Sequence, residues 1–201
     1  MRTFFFNKTP VGQKGFTLVE LMVSIGIFSV ITSVAVYNNA QFNSSILLTN
    51  LAYEIALSIR QAQVYGITVR KDSADNFNSA YGIHFNLSTP TSYILFQDTA
   101  ADDHVYNTIG DVSLETFNVQ KGNGVTKFCV TDSGAPTCYT GSGEALDITF
   151  VRPNPDALIY VGGVRHGKVE ICVVSPQNLK RKILVEDTGQ ISVSADATVC
   201  N

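Results

Sequence analysis

The chain has 201 residues, of which 45% are apolar and 15% charged, and its formal net charge is −3. This composition excludes an intrinsically disordered chain, because apolar content is high and charge is sparse. The acidic balance also gives no general attraction to nucleic acid or anionic lipid. Residues 1–15 carry three cations, Arg2, Lys8 and Lys14, and no acid, so the net charge becomes −6 if they are removed.

An apolar run, Phe16 to Val36, follows this basic segment directly, and its only charged residue is Glu20. At roughly 1.5 Å per residue, a helix of this length rises about 30 Å, which is the thickness of the bilayer core. A carboxylate near the bilayer centre costs on the order of 2.5–3.5 kcal/mol, so such groups usually lie near an interface or have a partner. The run predicts a transmembrane helix, 16–36, in which Glu20 has a specific role.

The residues from Lys14 to Val23 read KGFTLVELMV. This stretch, with the apolar helix behind it, resembles the N-terminus of the type IV pilin superfamily, which includes pilins, minor pilins and type II secretion pseudopilins. The resemblance implies that a prepilin peptidase removes the leader 1–15 by cutting between Gly15 and Phe16, and then N-methylates Phe16. It also implies that Glu20 pairs with the terminal amine of Phe16 on a neighbouring subunit during filament assembly.

Two other interpretations of this N-terminus stay open. Thr17 and Glu20 have the S/T-x-x-E spacing of a capping box, and a glutamate in the first turn interacts favourably with the helix dipole. Capping and pairing are compatible, because one shapes the helix start and the other sets subunit register. A secretory signal peptide cleaved after Ala35 or Ala40 fits less well, because the apolar run is longer than the roughly 7–15 residues of such a segment.

Helical periodicity continues beyond Val36 and predicts an amphipathic half, 37–66, packed against a folded domain. Gly66 is the predicted helix stop, so residues 16–65 form one helix of about 75 Å. The segment from Asn50 to Arg70 resembles the helix end of GspH/FimT-type pseudopilins and minor pilins, the group that this chain is most like. The predicted core stripe comprises Ile46, Leu47, Leu51, Ile55 and Ile59.

From residue 67 onward, short β-rich segments alternate with turn residues and predict one exported globular domain, 67–201. The last two segments, with Asp187-Thr188-Gly189 between them, predict a hairpin. The fold class is therefore α+β, with the long helix packed against an antiparallel β-sheet domain. The predicted strands are Tyr81–Phe85, Ser92–Phe96, Val112–Val119, Val125–Val130, Leu146–Val151, Leu158–Val161, Lys168–Val174, Lys180–Val185 and Gln190–Val193.

All four cysteines, Cys129, Cys138, Cys172 and Cys200, lie in this predicted exported domain. An even number in an oxidising compartment indicates two disulfides, for which three pairings exist. We favour Cys129–Cys138 and Cys172–Cys200, of which the second ties down the C-terminus. Buried free thiols are the alternative, and a zinc site is disfavoured because no C-x2-C pair occurs.

No catalytic motif stands out, so the sequence predicts no enzyme, no catalytic residue and no cofactor. The three histidines are separated in sequence, and His84 lies between apolar neighbours, which predicts a strand histidine facing solvent. Asp98, Asp102 and Asp103 form an acidic turn near Asn107. Oxygen-rich turns can hold calcium, and some subunits of the superfamily do, but the spacing matches no EF-hand, so we predict a solvated loop and no metal.

Lys180-Arg181-Lys182 is the one dense basic cluster, and Arg165 and Lys168 could extend it. Some minor pilins of the resembled group bind DNA. Strand alternation, however, places Arg181 on the face opposite to the two lysines, and the processed chain is acidic. An ordinary charged strand is therefore favoured, and nucleic acid is an improbable partner that the sequence does not rule out.

The resemblance thus implies a structural subunit, either a minor pilin or a GspH-like pseudopilin, of a type IV pilus or type II secretion pseudopilus. A major pilin, a DNA-binding minor pilin of an uptake system and a simple anchored binding domain are the alternatives. The implied partners are the prepilin peptidase/methyltransferase, other pilin or pseudopilin subunits, the inner-membrane assembly platform and membrane lipid. The excess of cations in the leader predicts a cytoplasmic N-terminus and an extracytoplasmic C-terminal domain.

Overall fold

A computed structural model of the chain describes residues 15–68, 79–99, 103–195 and 198–200. It confirms the α+β class, with one long helix, α1 (Leu18–Ile67), and antiparallel β-strands. A short 3-10 helix, η1, covers Thr198–Cys200. The chain divides into two compact units, Met1–Gln41 and Phe42–Asn201, and each is described by itself below.

The strands of the second unit form two antiparallel sheets. The first sheet has six strands in the order β3-β2-β1-β6-β7-β8, and the second has five in the order β11-β10-β9-β4-β5. The bounds are β1 (Ala80–Asn86), β2 (Ser92–Asp98), β3 (Val112–Asn118), β4 (Gly124–Val130), β5 (Thr137–Tyr139), β6 (Ala145–Phe150), β7 (Ala157–Val161), β8 (Val164–His166), β9 (Lys168–Val174), β10 (Lys180–Glu186) and β11 (Ile191–Ser194).

All nine predicted strands occur, and the predicted terminal hairpin is the antiparallel pair β10–β11. Two further strands were not predicted, β5 and β8, each only three residues long. A segment of three residues is too short to show a period of two, so its sequence carries no strand signal. Both strands are set by their neighbours: β5 pairs with β4, and β8 pairs with β7.

One stripe of α1 and the inner faces of the strands enclose a single apolar core in the second unit. The stripe begins at Leu48 and ends at Ala62, with residues three and four apart, as expected for one face of a helix. Ile46 was predicted to belong to it, but its side chain is 42% exposed because that position is out of phase with Leu48. The buried helix residues are Leu48, Leu51, Ala52, Ile55, Ile59 and Ala62.

Gly66 was predicted to stop the helix, and α1 ends one residue later, at Ile67, without a positive φ at Gly66. The reason for glycine at this position is a close backbone approach. A Cβ on Gly66 would lie 2.3 Å from the carbonyl oxygen of Phe150, the last residue of β6. The absent side chain therefore lets the end of α1 pack directly on the backbone of β6.

The structure contains two disulfides, Cys129–Cys138 and Cys172–Cys200, which is the pairing favoured from the sequence. The first joins residues directly opposite each other on β4 and β5. The second connects β9 to η1, and both of its cysteines are buried. One disulfide thus holds a three-residue edge strand, and the other holds the C-terminal segment against the second sheet.

Replacing Gly66 by Ala should destabilise the second unit by about 1–3 kcal/mol, the cost typical of overpacking. Alanine would ordinarily stabilise a helix position relative to glycine, so a loss here reports the contact with Phe150. Urea unfolding of the full chain in detergent micelles, followed by tyrosine fluorescence, measures the effect. Gly141→Ala is the matched control, because its Cβ would meet only the Glu144 Cγ at 3.8 Å; equal stabilities of the two variants would contradict the packing explanation.

Removal of the Cys172–Cys200 disulfide should cost more stability than removal of Cys129–Cys138. The sequence separations are 28 and 9 residues, and the loop-entropy model gives about 1 kcal/mol more for the longer loop. The comparison uses paired Cys→Ser variants, each with the other disulfide intact, in the same urea experiment. Peptide mapping without reduction verifies the remaining linkage, and a larger loss from the Cys129/Cys138 variant would contradict this ranking.

Candidate functional site

The start of α1 carries the residues that the sequence singled out. Gly15, Phe16 and Thr17 precede the helix without regular structure. The Thr17 hydroxyl accepts a hydrogen bond from the Glu20 backbone N–H at 3.2 Å, and the Thr17 carbonyl accepts the first helical bond from Leu21. Thr17 is therefore the N-cap, and the cap half of the predicted capping box is present.

The Glu20 side chain lies in the first turn of α1 and is exposed. Among the described residues, no hydrogen bond or ion pair to its carboxylate occurs. The position at a helix N-terminus favours a negative charge, but the dipole supplies only about 0.3–1 kcal/mol at an exposed site. The capping geometry thus accounts for Thr17 and leaves the Glu20 carboxylate available to another group.

The segment Leu18–Tyr37 is long and apolar enough to cross a membrane, with a mean hydropathy of 2.1 and no residue buried within the chain. Its serine and threonine hydroxyl groups form hydrogen bonds within the helix, which lowers the cost of placing them in hydrocarbon. Ser24, Ser29, Thr32 and Ser33 each donate a hydrogen bond to the carbonyl oxygen four residues earlier, at 2.6–2.9 Å. Glu20 is the only charged residue of this segment, and its carboxylate has no such hydrogen bond within the described residues.

A comparison with protein families finds the prokaryotic N-terminal methylation motif over residues 11–36. The motif includes Lys14, the Gly15–Phe16 junction, the Thr17 cap, Glu20 and the apolar part of the helix. No curated protein and no solved structure matches the chain.

The motif indicates a type IV pilin-like precursor. Precursors of this kind are processed by a prepilin peptidase and anchored by the apolar helix that follows the cleavage site. Of the three predicted residues, Gly15 and Phe16 precede the helix and Glu20 lies in its first turn. Their roles in cleavage, methylation and assembly stay predictions.

The prediction that His84 faces solvent was wrong. Its Nδ1 lies 2.7 Å from the Asp147 carboxylate, and its ring packs on Tyr106 at 4.9 Å between centroids. Tyr106 also donates its backbone N–H to Asp147 and packs on Phe96. The loop containing Tyr106 therefore covers the outer face of the first sheet, and a strand pattern cannot reveal such a cover.

In the described part of the acidic turn, Asp103 is exposed, as predicted for a solvated loop, but Asp98 is buried. Asp98 is buried and accepts the His104 N–H at 2.9 Å, while Asp111 accepts the N–H groups of Thr99 and Asn107. Asp103 bonds the Asn107 amide, and Asp102 lies outside the described residues. Within those residues, no three His, Cys, Asp or Glu side chains are placed to hold a metal.

Burial raises the pKa of Asp98 and of Asp147, despite the hydrogen bonds that both carboxylates accept. One Asp98 oxygen, Oδ1, has no hydrogen-bond partner, so the desolvation of this carboxylate is only partly offset. The two acids accept hydrogen bonds from nearby positions of the loop, Asp98 from His104 and Asp147 from Tyr106. These two carboxylates hold the loop, although burial disfavours their charged form.

The basic cluster does not form a free cationic patch. The Arg181 guanidinium bonds the Thr49 and Ser45 hydroxyls of α1, both at 3.2 Å. Lys182, on the opposite face of β10, forms an ion pair with Glu170 at 3.1 Å. The predicted alternation is therefore correct, and it directs Arg181 into the contact with the helix.

Two polar contacts had no sequence signal. The Gln63 amide is buried and donates to the carbonyls of Pro155 and Gly189, which ties α1 to two loops. Asp132 accepts hydrogen bonds from the Gly167 N–H and the His166 ring, and these bonds lower the pKa of its carboxyl. Their partners are 34 to 126 residues away along the chain, so only the fold brings them together.

Asp98→Asn should flatten part of the pH dependence of stability. Because the folded-state pKa of Asp98 is raised, the folded chain holds this proton more tightly, and stability rises as pH falls from neutral towards the ordinary value of 3.8. Asparagine keeps an acceptor for the His104 N–H without a charge. Urea unfolding between pH 4 and pH 7 measures the slope.

Asp156→Asn, at an exposed aspartate, is the control for that experiment and should leave the slope as it is in the unaltered chain. Asp147 keeps its own contribution in both variants. An unchanged slope in Asp98→Asn would show that the buried carboxylate does not titrate with folding.

Proposed function

We propose that this chain is a filament subunit, either a minor pilin or a GspH-like pseudopilin, and not an enzyme. The observation that carries the proposal is the processing motif on an apolar segment of α1, Leu18–Tyr37, none of which is buried within the chain. The surface of such a segment can be covered by lipid or by other helices. In this proposal, the segment enters a filament when contacts with other helices replace its contacts with lipid.

Glu20 supplies the register for that exchange. Cleavage after Gly15 would create a cationic amine at Phe16, four residues before Glu20 of the same chain. A neighbouring subunit shifted along the filament presents its own amine to Glu20 in an apolar setting. Two opposite charges attract by about 4 kcal/mol at 4 Å and an effective dielectric of 20, and the loss of one partner from such a pair costs about 3–5 kcal/mol.

The small and hydroxylated side of the helix supports close packing between subunits. Ser29 and Ser33 are four residues apart, and Gly26 lies on the preceding turn. Small residues at this spacing allow helix backbones to approach closely in membranes. The partners in this proposal are other pilin-like subunits, the prepilin peptidase and the inner-membrane assembly platform, and the β domain is extracytoplasmic.

A major pilin is the alternative within the same class, and copy number in isolated filaments distinguishes the two. A DNA-binding minor pilin receives less support, because Arg181 and Lys182 are both engaged within the protein. A salt-sensitive gel shift with the full chain tests that alternative.

Glu20→Ala should leave membrane insertion and cleavage intact and reduce incorporation into filaments at least tenfold, since the lost pairing exceeds about 1.4 kcal/mol. The measurement compares the variant with the unaltered chain in sheared filament and membrane fractions. N-terminal sequencing should place the mature start at Phe16 in both chains. Glu144→Ala, a glutamate in a loop of the β domain, is the control and should incorporate normally.

Two results would contradict this proposal at different steps. A mature start after Ala35 or Ala40 would indicate a secretory signal peptide, and the filament assignment would fail. A start at Phe16 with normal incorporation of Glu20→Ala would keep the assignment and reject the pairing mechanism.

A further inference from the structure

A cleft of about 280 Å³ lies between α1 and the segment that joins β3 to β4. Its volume is close to the lower end of the range that is typical of small-ligand sites, roughly 300–1,000 Å³. One wall is a face of α1 from Leu47 to Glu54, and the other is formed by residues 118–121 and 123. Both walls belong to the second unit, so the cleft does not involve the segment Leu18–Tyr37.

The wall opposite α1 is held in place by hydrogen bonds at both of its ends. The backbone N–H groups of Val119 and Val125 donate to carbonyls of the turn between β1 and β2, at 2.8 and 2.9 Å. Asn123 is buried, and both its backbone N–H and its side-chain amide donate to the carbonyl of Gln120. Sites for small ligands are usually formed before the ligand binds, and this wall meets that condition.

Lys121, on the same wall, has a backbone conformation that side chains rarely adopt. Its φ is 61°, in the left-handed region, which is strained for residues other than glycine, asparagine and aspartate. Its ammonium has no hydrogen bond or ion pair in the part of the chain that the structure describes. Strained residues are concentrated at binding sites, and here neither the backbone nor a contact within the protein explains the lysine.

Glu54 places the opposite charge on the α1 wall of the same cleft. Its side chain is exposed, and its carboxylate forms no hydrogen bond or ion pair with any described residue. No ion pair joins it to Lys121, although both residues line the cleft. The cleft therefore presents a carboxylate on one wall and an ammonium on the other, and neither is neutralised within the described protein.

The surface between the two charges is partly polar and partly apolar. Asn50, Asn118 and Gln120 carry side-chain amides, which offer both hydrogen-bond donors and acceptors. Leu47 and Leu51 supply apolar surface, and Leu51 is only 6% exposed. Amides of this kind match the N–H and C=O of a peptide group, and the leucines match an apolar side chain.

We propose that this cleft binds a short peptide with a free amino end and a free carboxylate end. The ammonium of the ligand lies at Glu54, its carboxylate lies at Lys121, and an apolar side chain covers the two leucines. A ligand with charge of only one sign would meet a like charge on one of the walls, which disfavours it. The cleft lies within the second unit, so the proposal does not depend on the filament assignment.

The test uses three dipeptides and the full chain in nonionic detergent micelles, with empty micelles as the background. Glycyl-leucine has both charges, its N-acetyl form lacks the ammonium, and its C-terminal amide lacks the carboxylate. Ligand-observed NMR titrations give the three dissociation constants. We expect glycyl-leucine to bind most tightly and each blocked form to bind about threefold more weakly, as the loss of one exposed ion pair implies.

Variants assign each charge to its wall. Glu54→Gln should remove the difference between glycyl-leucine and its N-acetyl form, and Lys121→Met should remove the difference between glycyl-leucine and its amide. Glu144→Gln, at a glutamate outside the cleft, is the control and should keep both differences. Lys121→Gly should also lose the second difference while raising stability in urea, because glycine adopts a positive φ without strain.

Three outcomes would overturn the proposal. The first is no binding of glycyl-leucine at high millimolar concentration. The second is binding whose preferences among the three dipeptides are the same in both charge variants as in the unaltered chain. The third is tighter binding of maltose than of glycyl-leucine, with no effect of either variant, which would make a neutral sugar the occupant.

Discussion

The β domain depends on the burial of one stripe of α1, from Leu48 to Ala62, against the inner faces of two sheets. Each large apolar side chain buried in this way contributes about 1.5–3 kcal/mol. The apolar face of a sheet needs another element against it, and the helix stripe provides part of that cover here. Gly66 and the Gln63 amide complete this packing, the first through its missing side chain and the second through hydrogen bonds to two loops.

The same helix is buried along one stripe in its second half but is exposed in its first half. In the segment Leu18–Tyr37, the large apolar residues are exposed over most of their surface, and the hydroxyl groups bond to the helix itself. Nothing in the described part of the first unit buries this surface. The surface of this segment is covered only in a bilayer or in contact with other apolar helices, and this requirement supports the proposed role as a filament subunit.

The sequence predicted the features that repeat with a fixed period or carry a short motif. Nine strands, the hairpin β10–β11 and the opposite placement of Arg181 and Lys182 follow from alternation. The Thr17 cap follows from local chemistry. At the candidate site, the sequence predicted Gly15, Phe16 and Glu20, because the motif is contiguous and needs no tertiary structure to be read.

The features that were missed all depend on contacts between distant segments. His84 is covered by a loop more than 20 residues further along the chain, and Asp147, its partner, belongs to another strand. Ile46 fell outside the core because the phase of the buried stripe is set by the sheets and not by the helix alone. The three-residue strands β5 and β8 exist only through pairing with a longer neighbour.

The exposed apolar surface of Leu18–Tyr37 has little specificity of its own. Its backbone is bonded within the helix, so its contacts are non-directional, and lipid and other helices are equivalent solvents for it. In the proposed filament, specificity falls to Glu20, the one charged residue of the segment. A single carboxylate within an apolar surface excludes most partners and favours those with a cation at the matching position.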